Sequence, residues 1–208
     1  MKVILLCMFF LEILSSQTVQ EKKQIFLNKV LPVMQQVYQR NTLRYEKVKK
    51  SLDNASAQNE IQNLKIKYKV KSDAKLLEAL KPFPLSIALG QGAMESGWGT
   101  SRFFREANNI FGVWAYGKNT PRIAALKKRN GKTIWVKKYA SLEDSVEDYY
   151  LNIARSFAFS KFRELNMKSD DVYELVKELK MYSEKRELYS KELAQIIRYN
   201  KFISLTSP

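Results

Sequence analysis

The sequence predicts a mainly α-helical protein that carries one small β-hairpin. Three observations lead there. Several stretches place apolar residues three and four positions apart with polar residues between them. One Asn-Gly pair, Asn130-Gly131, stands between RIAALKK and KTIWVKKY, and Asn-Gly flanked in this way is the strongest short hairpin signal. The 208 residues include only 7 Gly and 5 Pro, too few for a turn-rich all-β chain. The hydrophobic share of 45%, with 11 Phe, 11 Tyr and 3 Trp, supplies a core and argues against global disorder.

Residues 21–50 have helical periodicity through Ile25, Phe26, Val30, Val33, Val37 and Tyr38, with Pro32 marking a kink or a boundary. Residues 51–62 are small and polar and read as a loop or a helix end. In LKIKYKVKS, Lys65, Lys67, Lys69 and Lys71 alternate with Ile66, Tyr68 and Val70, which favours an extended segment with one basic, solvated face. A short amphipathic helix over 73–81 ends at KPFP. From Leu85 the run LSIALGQGAMES is apolar nearly all round and predicts a buried helix, ended by Gly97 and Gly99. A helix over 100–107, a loop through NNIFGVWAYG and the hairpin at 122–139 follow. Ser141 then opens a helix with Asp144 as its capping-box partner and Leu142, Val146, Tyr149, Ile153 and Phe157 as its stripe. Two last helices, near 170–181 and 186–199, turn Val172/Leu175/Val176/Leu179 and Tyr189/Leu193/Ile196/Ile197 inward.

Composition excludes whole classes of chemistry. The chain has no histidine, so a Ser-His-Asp triad, a Cys-His dyad and a histidine metal site are all absent. Its one cysteine, Cys7, lies in MKVILLCMFFLEILSS, which resembles a secretory signal peptide: Lys2, an apolar core from Val3 to Leu14, then Ser15-Ser16. Glu12 is an untidy feature of that core, and an uncleaved anchor or a buried N-terminal helix are the alternatives. The expected division is therefore 1–16 signal peptide, 17–72 helical N-terminal extension and 73–208 catalytic domain. The formal charge of +15 implies an anionic partner such as nucleic acid, anionic lipid or a bacterial wall. The basic residues are spread along the chain without a nucleic-acid motif, so no nucleic acid is expected as partner.

One carboxylate stands apart. Glu95 ends the nearly uncharged stretch from Pro84 to Met94 and precedes Ser-Gly-Trp-Gly. Desolvation there raises a carboxyl pKa, as a general acid requires near neutral pH. The glycines would let a ligand approach the backbone, and Trp98 offers an apolar face to a sugar ring. The bland alternative is a buried glutamate bonded to a turn.

The stretch PLSIALGQGAMESGWGTSRFFREANNIFGVW, the hairpin, and YASLEDSVEDYYLNIARSFAFSKFREL resemble the bacterial glucosaminidase family. These are peptidoglycan N-acetylglucosaminidases of glycoside hydrolase family 73, and YSEKRELYSKELAQIIRYNKF resembles its Bax-like envelope members. The resemblance covers roughly 80–200. It implies a lysozyme-like helical fold with a groove between two lobes, one bearing the hairpin. It implies that Glu95 is the catalytic acid, that Ser96, Trp98, Asn108, Asn109, Phe111 and Trp114 line the sugar groove, and that Tyr149 matches an aromatic of the helix after the hairpin. It calls for no cofactor or metal, and implies a monomer acting on glycan strands in the cell envelope, in the periplasm, without stable membrane insertion once the signal is removed.

The chain departs from the family's pattern at one point. Many relatives carry a second glutamate in the hairpin, whereas residues 122–139 hold seven basic residues and no acid. Glu106 is the candidate second carboxylate, while Glu143, Asp144, Glu147 and Asp148 read as a solvated helix face. Three functions follow as expectations: an endo-β-N-acetylglucosaminidase, a lytic transglycosylase using Glu95 alone, and a non-catalytic wall-binding protein.

Overall fold

The computed structural model describes residues 18–207; the expected signal peptide lies outside them. α1 (Val19–Ser51) opens with a capping box in which Thr18 and Glu21 satisfy each other's backbone N–H groups. It runs as one helix through Pro32 and buries Phe26, Val30, Met34 and Val37 on one face. α3 (Asp73–Leu80) is capped by Ser72, and α4 (Leu85–Ser96) follows after the proline break, with ten of its twelve residues buried. α5 (Arg102–Ala107) leads to the loop before the hairpin. β1 (Arg122–Arg129) and β2 (Lys132–Lys137) pair antiparallel through Asn130 and Gly131, both left-handed as a type I′ turn demands. α6 (Leu142–Arg155) carries the expected Ser141/Asp144 capping box.

The remaining helices close the domain: α7 (Ser160–Asn166), α8 (Val172–Lys177) with a 3-10 continuation to Tyr182, α9 (Glu187–Tyr199) and α10 (Phe202–Thr206). α4 is the axis of the fold, packed by α1, α9 and α10. A Cβ on Gly90 would stand 2.7 Å from Ile197 Cγ1, so glycine there lets α9 seat against α4. Main-core residues come from α1, α4, α6, α8, α9 and α10; a smaller core gathers Tyr45, Val48, Ile61, Tyr68, Leu76 and Leu80. None of the described helices is long and apolar enough to cross a membrane.

Two expectations are corrected, the backbone of 58–68 and the place of Phe157. Residues 58–68 form α2 (Gln58–Tyr68) rather than a loop followed by an extended segment. The buried positions are Ile61 and Tyr68, a helical spacing, whereas Ile66 is 75% exposed. Lysine is a good helix former, so the alternation of lysines had no bearing on the backbone. Phe157 leaves the α6 stripe because the helix stops at Arg155, and it is 91% exposed. The expected N-terminal extension is helical, and its α1 shares the main core with α4 and α6. α7 and α10 had no counterpart in the periodicity.

Candidate active site

The turn after α4 aims Glu95. Gly97, Trp98 and Gly99 are all left-handed, at φ 56°, 56° and 75°, a conformation that only glycine adopts without cost. Ser96 locks this turn: its hydroxyl donates to the Gly92 carbonyl at 2.6 Å and accepts from the Gly99 N–H at 2.9 Å. The glycines therefore serve the turn, and the fully buried Ser96 gives its hydroxyl to the backbone.

Glu95 is half-buried at the end of α4. Tyr189 of α9, Tyr182 of the 3-10 segment and Tyr149 of α6 surround it. Burial holds its carboxyl above the usual carboxylate range, opposed by the nearby Tyr189 hydroxyl and by the charge of Lys185. The same carboxylate helps push up the phenols of Tyr182 and Tyr189, though burial dominates there. The rings are tightly stacked: Phe111 on Tyr149 at 3.8 Å and 8°, Tyr182 on Tyr189 at 5.5 Å and 16°. The Tyr182 hydroxyl donates to the Phe111 carbonyl at 3.3 Å.

The hairpin side presents exposed surface. Trp114 is 38% exposed, bridges Val136, and neighbours the exposed ring of Tyr116 at 6.3 Å. The Arg129 guanidinium lies 5.6 Å over the Trp114 ring and pairs with Glu184, in the segment between Tyr182 and Tyr189. The hairpin turn is thereby joined to the segment that borders Glu95. Its base is tied down by Asp148, which accepts from the Tyr139 hydroxyl at 2.6 Å and from Lys137 Nζ at 2.8 Å.

Residues 71–202, well over half of the chain, match the glucosaminidase family model, described as mannosyl-glycoprotein endo-beta-N-acetylglucosaminidase. The chain belongs to the glucosaminidase family. It is 31% identical over 133 residues to Protein bax of Escherichia coli (strain K12), a match covering 61% of this chain and 46% of that protein. The chain thus spans less than half the length of that curated relative. Its fold is similar to that of a peptidoglycan hydrolase mutant from Sphingomonas sp. A1, with a TM-score of 0.53, 17% identity, and coverage of 87% of this chain and 96% of that one. The catalytic domain of the autolysin Auto from Listeria monocytogenes gives a TM-score of 0.47 at 18% identity, covering 92% and 90%.

On this glucosaminidase framework the expected groove residues separate into two sets. Ser96, Asn109, Phe111 and Tyr149 are buried. Asn109 donates to the carbonyls of Val113 and Lys137, and left-handed Asn108 to those of Tyr139 and Ala140, so both fasten the loop to the hairpin base. Trp98 packs edge-on to Phe26 at 5.7 Å and beside Phe202 at 6.0 Å, and lines a cleft of about 680 Å³ with Lys23, Met94 and Tyr199. Trp114 alone of the set is an exposed aromatic. Glu106 is exposed and paired with Arg102 at 2.8 Å; neither it nor an α6 carboxylate is among the groups acting on Glu95. The α6 acids are not a bare solvated face, because Glu143 and Glu147 both pair with Arg40, Glu143 at 2.7 Å, and Asp148 holds the hairpin. No cluster of three potential metal-ligating residues occurs among the described residues.

Sequence reasoning missed Gln91, Tyr182 and Lys185, and took Tyr189 for core alone. The available signal was Gln91 itself, an uncharged polar residue one helical turn before Glu95 in an otherwise apolar helix.

Proposed function

We propose that the protein hydrolyses the glycosidic bond after N-acetylglucosamine in peptidoglycan of the cell envelope, with Glu95 as general acid. The observation that carries this reading is a single carboxyl whose acidity is weakened by burial, at the end of an uncharged helix, under three tyrosines. Family membership and the fold shared with peptidoglycan hydrolases support the substrate class. Glu95 gives its proton to the glycosidic oxygen as the C1–O bond breaks. With no acid in the hairpin, the acetamido oxygen of the substrate bonds to C1 as the leaving group departs. Water then opens that ring, and its proton returns to Glu95. The basic hairpin and exposed Trp114 receive the anionic, sugar-bearing strand.

The test is digestion of purified peptidoglycan followed by mass spectrometry of the new ends. Reducing N-acetylglucosamine ends are expected. Anhydro-muramic ends would replace this reading with a transglycosylase, and intact strands would replace it with a binding protein.

A further inference from the structure

Gln91 is fully buried and lies four residues before Glu95, on the same face of α4. Both ends of its amide are engaged by tyrosines from different helices. The Tyr149 hydroxyl donates to Gln91 Oε1 at 2.5 Å, and Gln91 Nε2 donates to the Tyr189 hydroxyl at 2.6 Å. The Tyr189 oxygen accepts from the amide, so its own proton is left free for the carboxyl beside it, Glu95. The opposite amide orientation would break the chain. Oε1 would then take the Tyr189 proton, and an acceptor-only carboxylate would face an oxygen without a proton to give. The directed series runs from Tyr149 to Gln91 and from Gln91 to Tyr189, and it leaves the Tyr189 proton as the one able to serve Glu95.

We propose that Gln91 is a positioning residue that, through Tyr189, fixes which oxygen of Glu95 carries the acid proton. This rests on Glu95 acting as general acid. The carboxyl oxygen that accepts from Tyr189 is occupied, so the proton resides on the other oxygen. A carboxyl free to rotate would present either oxygen to the glycosidic bond. The groups facing Glu95 are Tyr149 from α6, Tyr182 from the 3-10 segment, and Tyr189 and Lys185 from α9 and its lead-in. Of these, Tyr189 and Lys185 favour the charged form, so a loss of the Tyr189 hydroxyl raises the Glu95 pKa further.

The experiment is a double-mutant cycle on soluble, uncrosslinked glycan strands, with kcat and KM measured across pH. Gln91→Met keeps the side-chain volume and removes both hydrogen bonds. It is expected to lower kcat about tenfold with KM within about twofold, and to move the alkaline limb of kcat to higher pH. Tyr189→Phe should do the same, and Gln91→Met should add less than about twofold in the Tyr189→Phe background, because it acts through that hydroxyl. Where Gln91→Met fails to fold, Tyr149→Phe carries the test: it removes the hydroxyl that sets the amide and should shift the limb in the same direction. An unmoved alkaline limb in the folded variants, or fully multiplicative losses in the double mutant, would overturn the proposal. A dead Glu95→Gln beside an unaffected Gln91→Met refutes this inference alone, whereas an active Glu95→Gln refutes the function on which it rests.

Discussion

Replacing Trp98 by alanine should cost stability, and replacing Trp114 should cost substrate. The Trp98 ring lies 5.7 Å from Phe26 and 6.0 Å from Phe202, with Lys23 Nζ 4.8 Å over its face. Removing a fully buried tryptophan costs about 3–5 kcal/mol. Trp98 is only partly buried, so about 2–3 kcal/mol is the appropriate share. Alanine at the same left-handed φ keeps the backbone strain and adds nothing to that sum. At about 2–4 °C per kcal/mol for a domain of this size, the melting temperature should fall by roughly 4–12 °C. Trp114 is an exposed bridge residue on the hairpin, and its loss should cost at most about 1 kcal/mol. Thermal melts by circular dichroism, paired with peptidoglycan digestion per folded molecule, separate the two. Equal melting losses, or a Trp98→Ala variant that melts like wild type but no longer digests, would refute the assignment of one ring to the frame and the other to the groove.

Glu95→Gln should lower digestion at least about a hundredfold with the fold intact, and near wild-type turnover would sink the acid assignment. Because the folded-state pKa of Glu95 is raised, its contribution to stability is full below the unfolded pKa and is lost as pH rises through the folded one. Glu95→Gln should therefore melt at or above wild type on the alkaline side, a scan that a lower melting point there would contradict. Asp148→Ala leaves the Tyr139 hydroxyl and Lys137 without their shared acceptor and should cost about 1–3 kcal/mol together with activity, whereas Glu143→Ala and Glu147→Ala should each cost under about 1 kcal/mol in chemical denaturation. Sedimentation with insoluble peptidoglycan should show binding that falls as salt rises, since screening acts over about 8 Å at physiological ionic strength, and falls further in a Lys127→Ala, Lys128→Ala, Lys132→Ala variant. Salt-independent binding would assign the charge to another role.

The partly buried place of Glu95 and the hairpin were legible because their signals are local. A lone carboxyl after an uncharged helix announces desolvation, and Asn130-Gly131 supplies the left-handed pair that an I′ turn needs. The frame around Glu95 was not legible, because it is assembled over distance. Gln91 and Tyr189 are 98 positions apart, and only the seating of α9 on α4 brings them together. Trp98 and Trp114 look alike as residues near the acid. What separates them is the turn that folds one ring back onto α1 and α10. The lysines of 65–71 misled because alternation over so short a run says little when the neighbouring helices decide which side is buried.

The shared packing of α1 and α4 means that the stretch bearing the family's hallmark is shorter than the unit able to stand by itself. The family match begins at residue 71, yet Phe26, Val30, Met34 and Val37 of α1 are each at most 1% exposed. A truncation starting at 71 would strip away all four. At about 1.5–3 kcal/mol for each buried side chain of this kind, the loss is comparable to the whole stability of an ordinary domain. Such a fragment should be insoluble or molten, and supplying residues 18–52 as a separate peptide should restore it. The first helix thus behaves as a built-in companion to the region that matches the family.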